Sequence, residues 1–176
     1  MKITVSGIVG SGKSTVAKLL AEHLGFEYFS VGKMMREMAV ERGLTLQEFT
    51  EVAKENKEID FELDNRQKAL NSDDREFVMD SRLGFHFIPD SFKVFLKVDL
   101  PKAAERIYNS SREEEKYSDV KEALTSLKKR IASEKIRYKQ YYNIDFPCED
   151  KFDLVIDTTM RTPQEIVEEI LDSIPN

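Results

Sequence analysis

Eight consecutive residues carry the clearest chemistry in this chain. Gly7-Ile8-Val9-Gly10-Ser11-Gly12-Lys13-Ser14 satisfies the pattern G-x-x-x-x-G-K-[ST] in full. The glycines allow backbone N–H groups to turn inward around a phosphate, and a helix opening at the end of the loop adds roughly half a positive charge. Lys13 is then placed to reach the outer phosphates of a triphosphate, and the Ser14 hydroxyl, followed by Thr15, to ligate magnesium. A turn that merely joined strand to helix would need neither the lysine nor the hydroxyl. Asp80 closes the apolar run Phe77-Val78-Met79. A carboxylate at the carboxyl end of a strand can hold magnesium through water, although an aspartate there is also an ordinary turn residue.

A phosphate loop serves kinases, switches and motors alike, so the rest of the chain must choose between them. A guanine-nucleotide switch would carry D-x-x-G and N-K-x-D. Asp80 to Gly84 has the wrong spacing for the first, and Asn56-Lys57-Glu58-Ile59 ends in isoleucine where the second needs aspartate. What the chain has instead is a set of arginines near segment ends: Arg36, Arg66, Arg82, Arg106, Arg112, Arg130 and Arg137. Guanidinium groups hold phosphate bidentately and stay charged, so convergent arginines suit a second phosphate and a transition state spread over several oxygens. For any one of them, a solvated surface position is the competing reading. Arg82, directly after the third expected strand, is the least ordinary. Arg130, Glu134 and Arg137 follow at i, i+4 and i+7, which lines them along one face of a helix. An intrahelical Glu–Arg pair would account for the same spacing.

These residues need elements to position them. Ile3 and Val5 form a short strand ahead of the loop, and Val16, Leu19, Leu20 and Leu24 give the helix after it an apolar face that Gly25 terminates. Phe26 to Phe29 reads as a second strand, followed by a helix through Met34 and Met38 that stops at Gly43. Thr45 and Glu48 form a capping box, and a polar helix is expected over Ile59 to Leu70. Strands follow at Glu76 to Met79 and Phe92 to Val98, with a helix from Pro101 to about Tyr108. Ser110 to Ser118 is a charged break with the character of a mobile cover. A long helix from Asp119 to about Tyr142 has its apolar seam at Val120, Leu124, Leu127 and Ile131. The last strand is Asp153 to Asp157, and Thr162-Pro163-Gln164-Glu165 opens the closing helix. Alternation of this kind predicts a three-layer α/β/α domain of the P-loop NTPase class around a five-stranded parallel sheet.

At 176 residues one domain is expected. Hydrophobic residues make up 40% and charged residues 34%, so the composition does not suggest disorder. Acidic residues outnumber basic ones 33 to 27, a net charge of -6 that disfavours nucleic acid or an anionic membrane as a partner. No window is apolar enough to span a bilayer and no signal peptide is apparent. The single Cys148 can form no internal disulfide. A cytoplasmic location and a monomer are the expectations. His23 and His86 read as structural.

Taken in order, Gly7 to Ser14, Ser30-Val31-Gly32-Lys33-Met34-Met35-Arg36, Glu58-Ile59-Asp60 with Arg66-Gln67, Ser81-Arg82-Leu83, Ala104-Glu105-Arg106-Ile107, and Arg130 to Tyr138 followed by Asn143-Ile144-Asp145 resemble cytidylate kinases of the archaeal type. Lys33 stands where related chains tend to carry an acidic residue. The resemblance implies a nucleoside monophosphate kinase with an acceptor-binding insertion over about 31–70 and a lid over about 110–137. It implies ATP and magnesium as cofactors and small nucleotides as the partners. Carried over residue by residue, it puts Arg36 and Arg82 on the acceptor phosphate, with Asp60 and Arg66 also in the acceptor site. Arg106, Arg130 and Arg137 fall on the transferring phosphoryl, and Arg130 and Glu134 beside the acceptor base. The expected reaction is phosphorylation of CMP or dCMP. Same-fold kinases for AMP, UMP or shikimate, and an ATP-gated binding protein without turnover, are the alternatives. An ionised Glu134 could accept a hydrogen bond from the cytosine amino group and none from the uracil carbonyl.

Overall fold

The computed structural model describes residues 1–45, 48–49, 52–53, 56–110 and 117–175. Five strands, β1 (Lys2–Gly7), β2 (Glu27–Ser30), β3 (Phe77–Asp80), β4 (Phe92–Lys97) and β5 (Leu154–Asp157), form one sheet in the order β2-β3-β1-β4-β5. Every pairing is parallel. Helices α1 (Lys13–Leu24), α2 (Val31–Glu41), α3 (Lys57–Ala69), α4 (Gly84–Phe87), α5 (Leu100–Tyr108), α6 (Val120–Tyr142) and α7 (Pro163–Ser173) connect and cover it.

The core is divided by the pleat of β1. Ile3 and Val5 point to one face, where Val16 and Leu20 of α1 and Ile166 and Ile170 of α7 complete a layer with almost no exposure. Full burial of each such side chain stabilises by roughly 1.5–3 kcal/mol. The opposite face carries an aromatic layer of Phe77, Phe85, Phe87, Phe95, Tyr138 and Phe146. Thr4 and Ser6 point to that side and are satisfied there. The Thr4 and Ser91 hydroxyls lie 2.9 Å apart, and Ser6 Oγ donates to the Ser81 carbonyl at 2.8 Å. Gly84 packs so closely on Thr4 that a Cβ would lie 3.1 Å from its methyl group. This approach pins the 81–84 turn against β1 and fixes the path of the chain through Arg82.

The expected alternation is present, with end positions within a few residues of those read from the sequence. α3 begins at Lys57 because the Asn56 side chain caps the Glu58 N–H, ahead of the expected start at Ile59. The short helix α4 has no counterpart in the sequence reading. The seam expected on α6 is displaced. Ala123 and Leu127 are buried and Leu124 and Ile131 are partly buried, but Val120 is 37% exposed at the first helical position. Farther along, the buried positions are Glu134 and Tyr138. The Thr45–Glu48 capping box forms, with Glu48 N–H donating to Thr45 Oγ1 at 3.2 Å and Thr45 N–H to Glu48 Oε2 at 2.8 Å. The helix expected after it, and the charged stretch from Ser110 to Ser118 with Arg112, fall partly outside the described residues. Met38, Ala39, Phe49 and Ile59 give the segment between β2 and β3 a small core of its own.

Candidate active site

The phosphate loop leaves the carboxyl end of β1, and Asp80 ends β3 beside it, in register with Val5. In open parallel sheets the ligand crevice lies at such strand ends. Gly10 has φ 82°, and a Cβ on it would sit 2.6 Å from the Ala103 carbonyl oxygen, so only glycine lets the loop pack on α5. Gly12, at φ 85°, delivers the chain into α1 with Lys13 as its first residue. Ser14 Oγ donates to Asp80 Oδ2 at 2.5 Å, and Tyr28 O–H reaches the same oxygen at 3.4 Å. Lys13 Nζ stands 4.0 Å from Asp80 Oδ1 with its side chain 15% exposed. Burial first, then the charge of Arg82, lowers the Lys13 ammonium to about 8, against a smaller opposing effect of Asp80.

From Lys13 a seam of charge runs to α6. Arg82 Nε lies 3.0 Å from Glu134 Oε2, while Arg130 Nε donates to Glu134 Oε1 at 3.1 Å. The Arg82 N–H is not aligned on that oxygen, so the pair is ionic without being a hydrogen bond. Glu134 is 7% exposed. One carboxylate therefore holds two guanidinium groups, one from the turn after β3 and one from α6, and both act electrostatically on Lys13. This differs from the base-reading role expected of Glu134, because both of its oxygens already face arginine. The intrahelical Arg130–Glu134 pair is real and is half of the arrangement.

The other expected residues separate. Arg106 sits behind the loop, with Nη2 donating to the Thr158 carbonyl at 2.6 Å and Nη1 to Thr158 Oγ1 at 3.1 Å and the Gly10 carbonyl at 3.4 Å. Thr158, fully buried, also bonds to the Ser11 and Lys97 carbonyls and so ties β4, β5 and the loop together. Nothing in its sequence context marked it. Arg36 is exposed on α2, close enough to Tyr28 to act on its hydroxyl. Arg66 is engaged by Glu41 at 2.5 Å and Glu62 at 2.9 Å, a surface network joining α2 to α3. Arg137 lies over the Tyr138 ring, 5.5 Å from its centroid, and its charge opposes the rise that burial imposes on the Asp60 carboxyl. Asp64 and Gln67, which the sequence reading did not use as site residues, are buried on the same face of α3 as Asp60. Their spacing of four and seven residues was the available signal.

The donor set suits magnesium. A serine hydroxyl and a carboxylate are hard oxygen ligands held side by side, and among the described residues no three His, Cys, Asp or Glu side chains gather as a protein-only metal cage. An ion here would complete its shell from phosphates and water, the usual pattern for magnesium in phosphoryl transfer.

A phosphate loop, a strand-end carboxylate and paired arginines on a parallel sheet define a P-loop phosphotransferase. The family model described as "Cytidylate kinase-like family" matches residues 2–160, and the chain belongs to that family. It is 38% identical over 174 residues to the cytidylate kinase of Methanobrevibacter smithii, covering 99% of this chain and 98% of that protein. It is also 39% identical to the S-adenosylmethionine-dependent nucleotide dehydratase of Lacinutrix mariniflava, where 97% of this chain spans only 35% of the relative. Among solved structures, a shikimate kinase from Bacteroides thetaiotaomicron shares the fold with a TM-score of 0.67 at 15% identity, covering 98% of this chain and 97% of that one.

Proposed function

We propose that this protein transfers the γ-phosphoryl group of ATP to the phosphate of CMP or dCMP, yielding ADP and CDP or dCDP. The observation that carries the reading is the Arg82–Glu134–Arg130 bridge beside Lys13, which supplies cationic groups for a second phosphate next to the triphosphate loop. The family membership and the full-length cytidylate kinase relatives support the same acceptor.

An acceptor phosphate is mostly dianionic at neutral pH, its second pKa being near 6, so no protein base is needed. One of its oxygens attacks the γ-phosphorus in line, the bond to the β,γ-bridging oxygen breaks, and ADP departs with that electron pair. Lys13 and the loop N–H groups hold the donor phosphates, Arg36 and Arg82 the acceptor phosphate, and Arg130 the transferring group. Ser14 and Asp80 would hold magnesium, which would supply charge neutralisation for the phosphates. The 31–70 segment serves as the acceptor-binding insertion and 110–137 as the lid, whose closure keeps water from competing with the acceptor.

The deciding experiment is acceptor-dependent ADP release with CMP, dCMP, UMP, AMP and shikimate. The expected result is the highest kcat/KM with CMP or dCMP. A preference for AMP or shikimate, or ATP binding without turnover on any of them, rejects the assignment.

A further inference from the structure

Two successive carbonyls of the phosphate loop accept hydrogen bonds from side chains far along the chain. Arg106 Nη1 donates to the Gly10 carbonyl at 3.4 Å, and Thr158 Oγ1 to the Ser11 carbonyl at 3.1 Å. Thr158 follows β5, is fully buried, and is fixed from three directions. Its N–H donates to the Lys97 carbonyl at 2.9 Å, its own carbonyl accepts from Arg106 Nη2 at 2.6 Å, and its hydroxyl oxygen accepts from Arg106 Nη1 at 3.1 Å. The hydroxyl has one hydrogen to give, and the Ser11 and Lys97 carbonyls compete for it. Lys97 already receives the Thr158 N–H, whereas among the described residues the Ser11 carbonyl has no donor except Thr158. The loop's own side chain offers no substitute, because Ser11 Oγ is buried without a hydrogen-bond partner among the described residues.

A trans peptide is planar, with the carbonyl of one residue and the N–H of the next on opposite sides. Holding the Ser11 carbonyl on Thr158 therefore turns the Gly12 N–H the other way. Ser11 N–H is already used, closing a turn on the Ile8 carbonyl at 3.2 Å, but among the described residues Gly12 N–H donates to no protein group. Gly12 is also the residue from which α1 starts, its carbonyl accepting from Val16 N–H at 3.0 Å. An open amide at an electropositive helix N-terminus suits a phosphate oxygen. Gly12 has no atom within 4 Å of the place its Cβ would take, so packing does not hold it. The direction of its N–H depends on the anchor behind Ser11.

We propose that Thr158 is a positioning residue for ATP: its hydroxyl, set by Arg106, clamps the Ser11 carbonyl so that the Gly12 N–H faces the triphosphate. The inference rests on the loop binding a triphosphate and is independent of which acceptor is used. Loss of the clamp should weaken the donor nucleotide and spare the acceptor, because the two lie on opposite sides of β1. Thr158 follows β5 on the β4 side of the loop, whereas Arg82 follows β3 and Arg36 lies beyond β2 on the other.

The test is calorimetric titration with ATP, together with separate KM values for ATP and CMP, in the wild type, Thr158→Val and Thr158→Ser. Valine keeps the shape and removes the hydroxyl, and serine keeps the hydroxyl. Thr158→Val is expected to raise the Kd for ATP roughly five- to twentyfold, the scale of one buried hydrogen bond, with KM for CMP within about twofold of the wild type. Thr158→Ser should bring the Kd back to within about threefold. A merely structural threonine would lower Tm in Thr158→Val and leave the ATP Kd of the folded protein unchanged, which overturns the proposal. An equal rise in both KM values, or no recovery with serine, overturns it as well. If Thr158→Val does not fold, Thr158→Cys takes its place, since a thiol is a weak donor of nearly the shape of serine's hydroxyl. It should bind ATP at least about threefold more weakly than Thr158→Ser, and equal affinity rejects the clamp. ATP binding with the expected losses but without CDP formation supports the clamp and removes only the acceptor assignment, whereas no ATP binding by the wild type overturns both.

Discussion

Arg82 in the turn after β3 and Glu134 in the middle of α6 meet with Nε 3.0 Å from Oε2, their side chains 19% and 9% exposed. The contact joins residues 52 positions apart and couples the strand that bears Asp80 to the helix that bears Arg130. A buried pair of this kind adds little net stability compared with an apolar substitute, but removing one member strands the other charge. Its value here is orientation, because Glu134 fixes two guanidinium groups whose mutual repulsion would otherwise separate them.

Glu134→Gln is therefore expected to disturb phosphate handling and not base choice. Turnover with CMP should fall at least about tenfold, and stability should drop by about 3 kcal/mol, the low end of the scale for breaking a buried pair. The CMP-to-UMP ratio of kcat/KM should stay within about twofold of the wild type, since Arg82 and Arg130 occupy both carboxylate oxygens. Steady-state kinetics on both nucleotides check this. A markedly narrowed ratio would return the base-reading role to Glu134.

Lys13 gives a pH signature. Its ammonium titrates near 8 in the folded protein, below its ordinary 10.5, so burial of the charge opposes folding below about pH 8. That penalty is relieved between pH 8 and 10.5, where the folded protein releases the proton and the unfolded chain keeps it. A bound triphosphate favours the charged form, so above pH 8 binding must take up a proton. The apparent Kd for ATP should rise by up to about tenfold per pH unit over that range. Calorimetry in two buffers of different ionisation enthalpy should show uptake approaching one proton. Lys13→Ala should remove this uptake and abolish transfer while leaving the circular dichroism spectrum unchanged. Substantial turnover in the folded variant contradicts the role given to this lysine.

Tyr142→Phe isolates the link between α3 and α6. Without its hydroxyl, Asp64 keeps a buried carboxylate with one donor fewer, a loss of about 1–3 kcal/mol and several degrees of Tm. Burial already raises the Asp64 carboxyl above its usual range, the Tyr142 hydrogen bond opposes that rise, and the substitution moves it higher still. A carboxyl with a raised folded pKa destabilises fully above that pKa and progressively less as pH falls through it. The deficit should thus be larger at pH 7 than at pH 5 in thermal melts, and an equal deficit at both would mean that the hydroxyl does not act through Asp64.

Much of this site was legible in local sequence. The phosphate loop is a contiguous pattern whose work is done by backbone N–H groups and its own side chains, so eight residues are enough to specify it. Asp80 could be read because strand and turn preferences place it without reference to partners. The strand and helix order followed from apolar periodicity, and the ends differed where a local cap intervened, as Asn56 does for α3. Periodicity also put Arg130, Glu134 and Arg137 on one face of α6.

Spacing along a helix states which side chains share a face and nothing about what that face meets. Only the tertiary packing brought Arg82 to Glu134, directed Arg66 to Glu41 and Glu62, and set Arg106 against Thr158. The same packing gave Asp64 and Gln67 their partners, Tyr142 and Ser81. An ionic partner is selected by distance and burial between elements far apart in the chain, and a lone carboxylate or guanidinium in a sequence carries neither quantity.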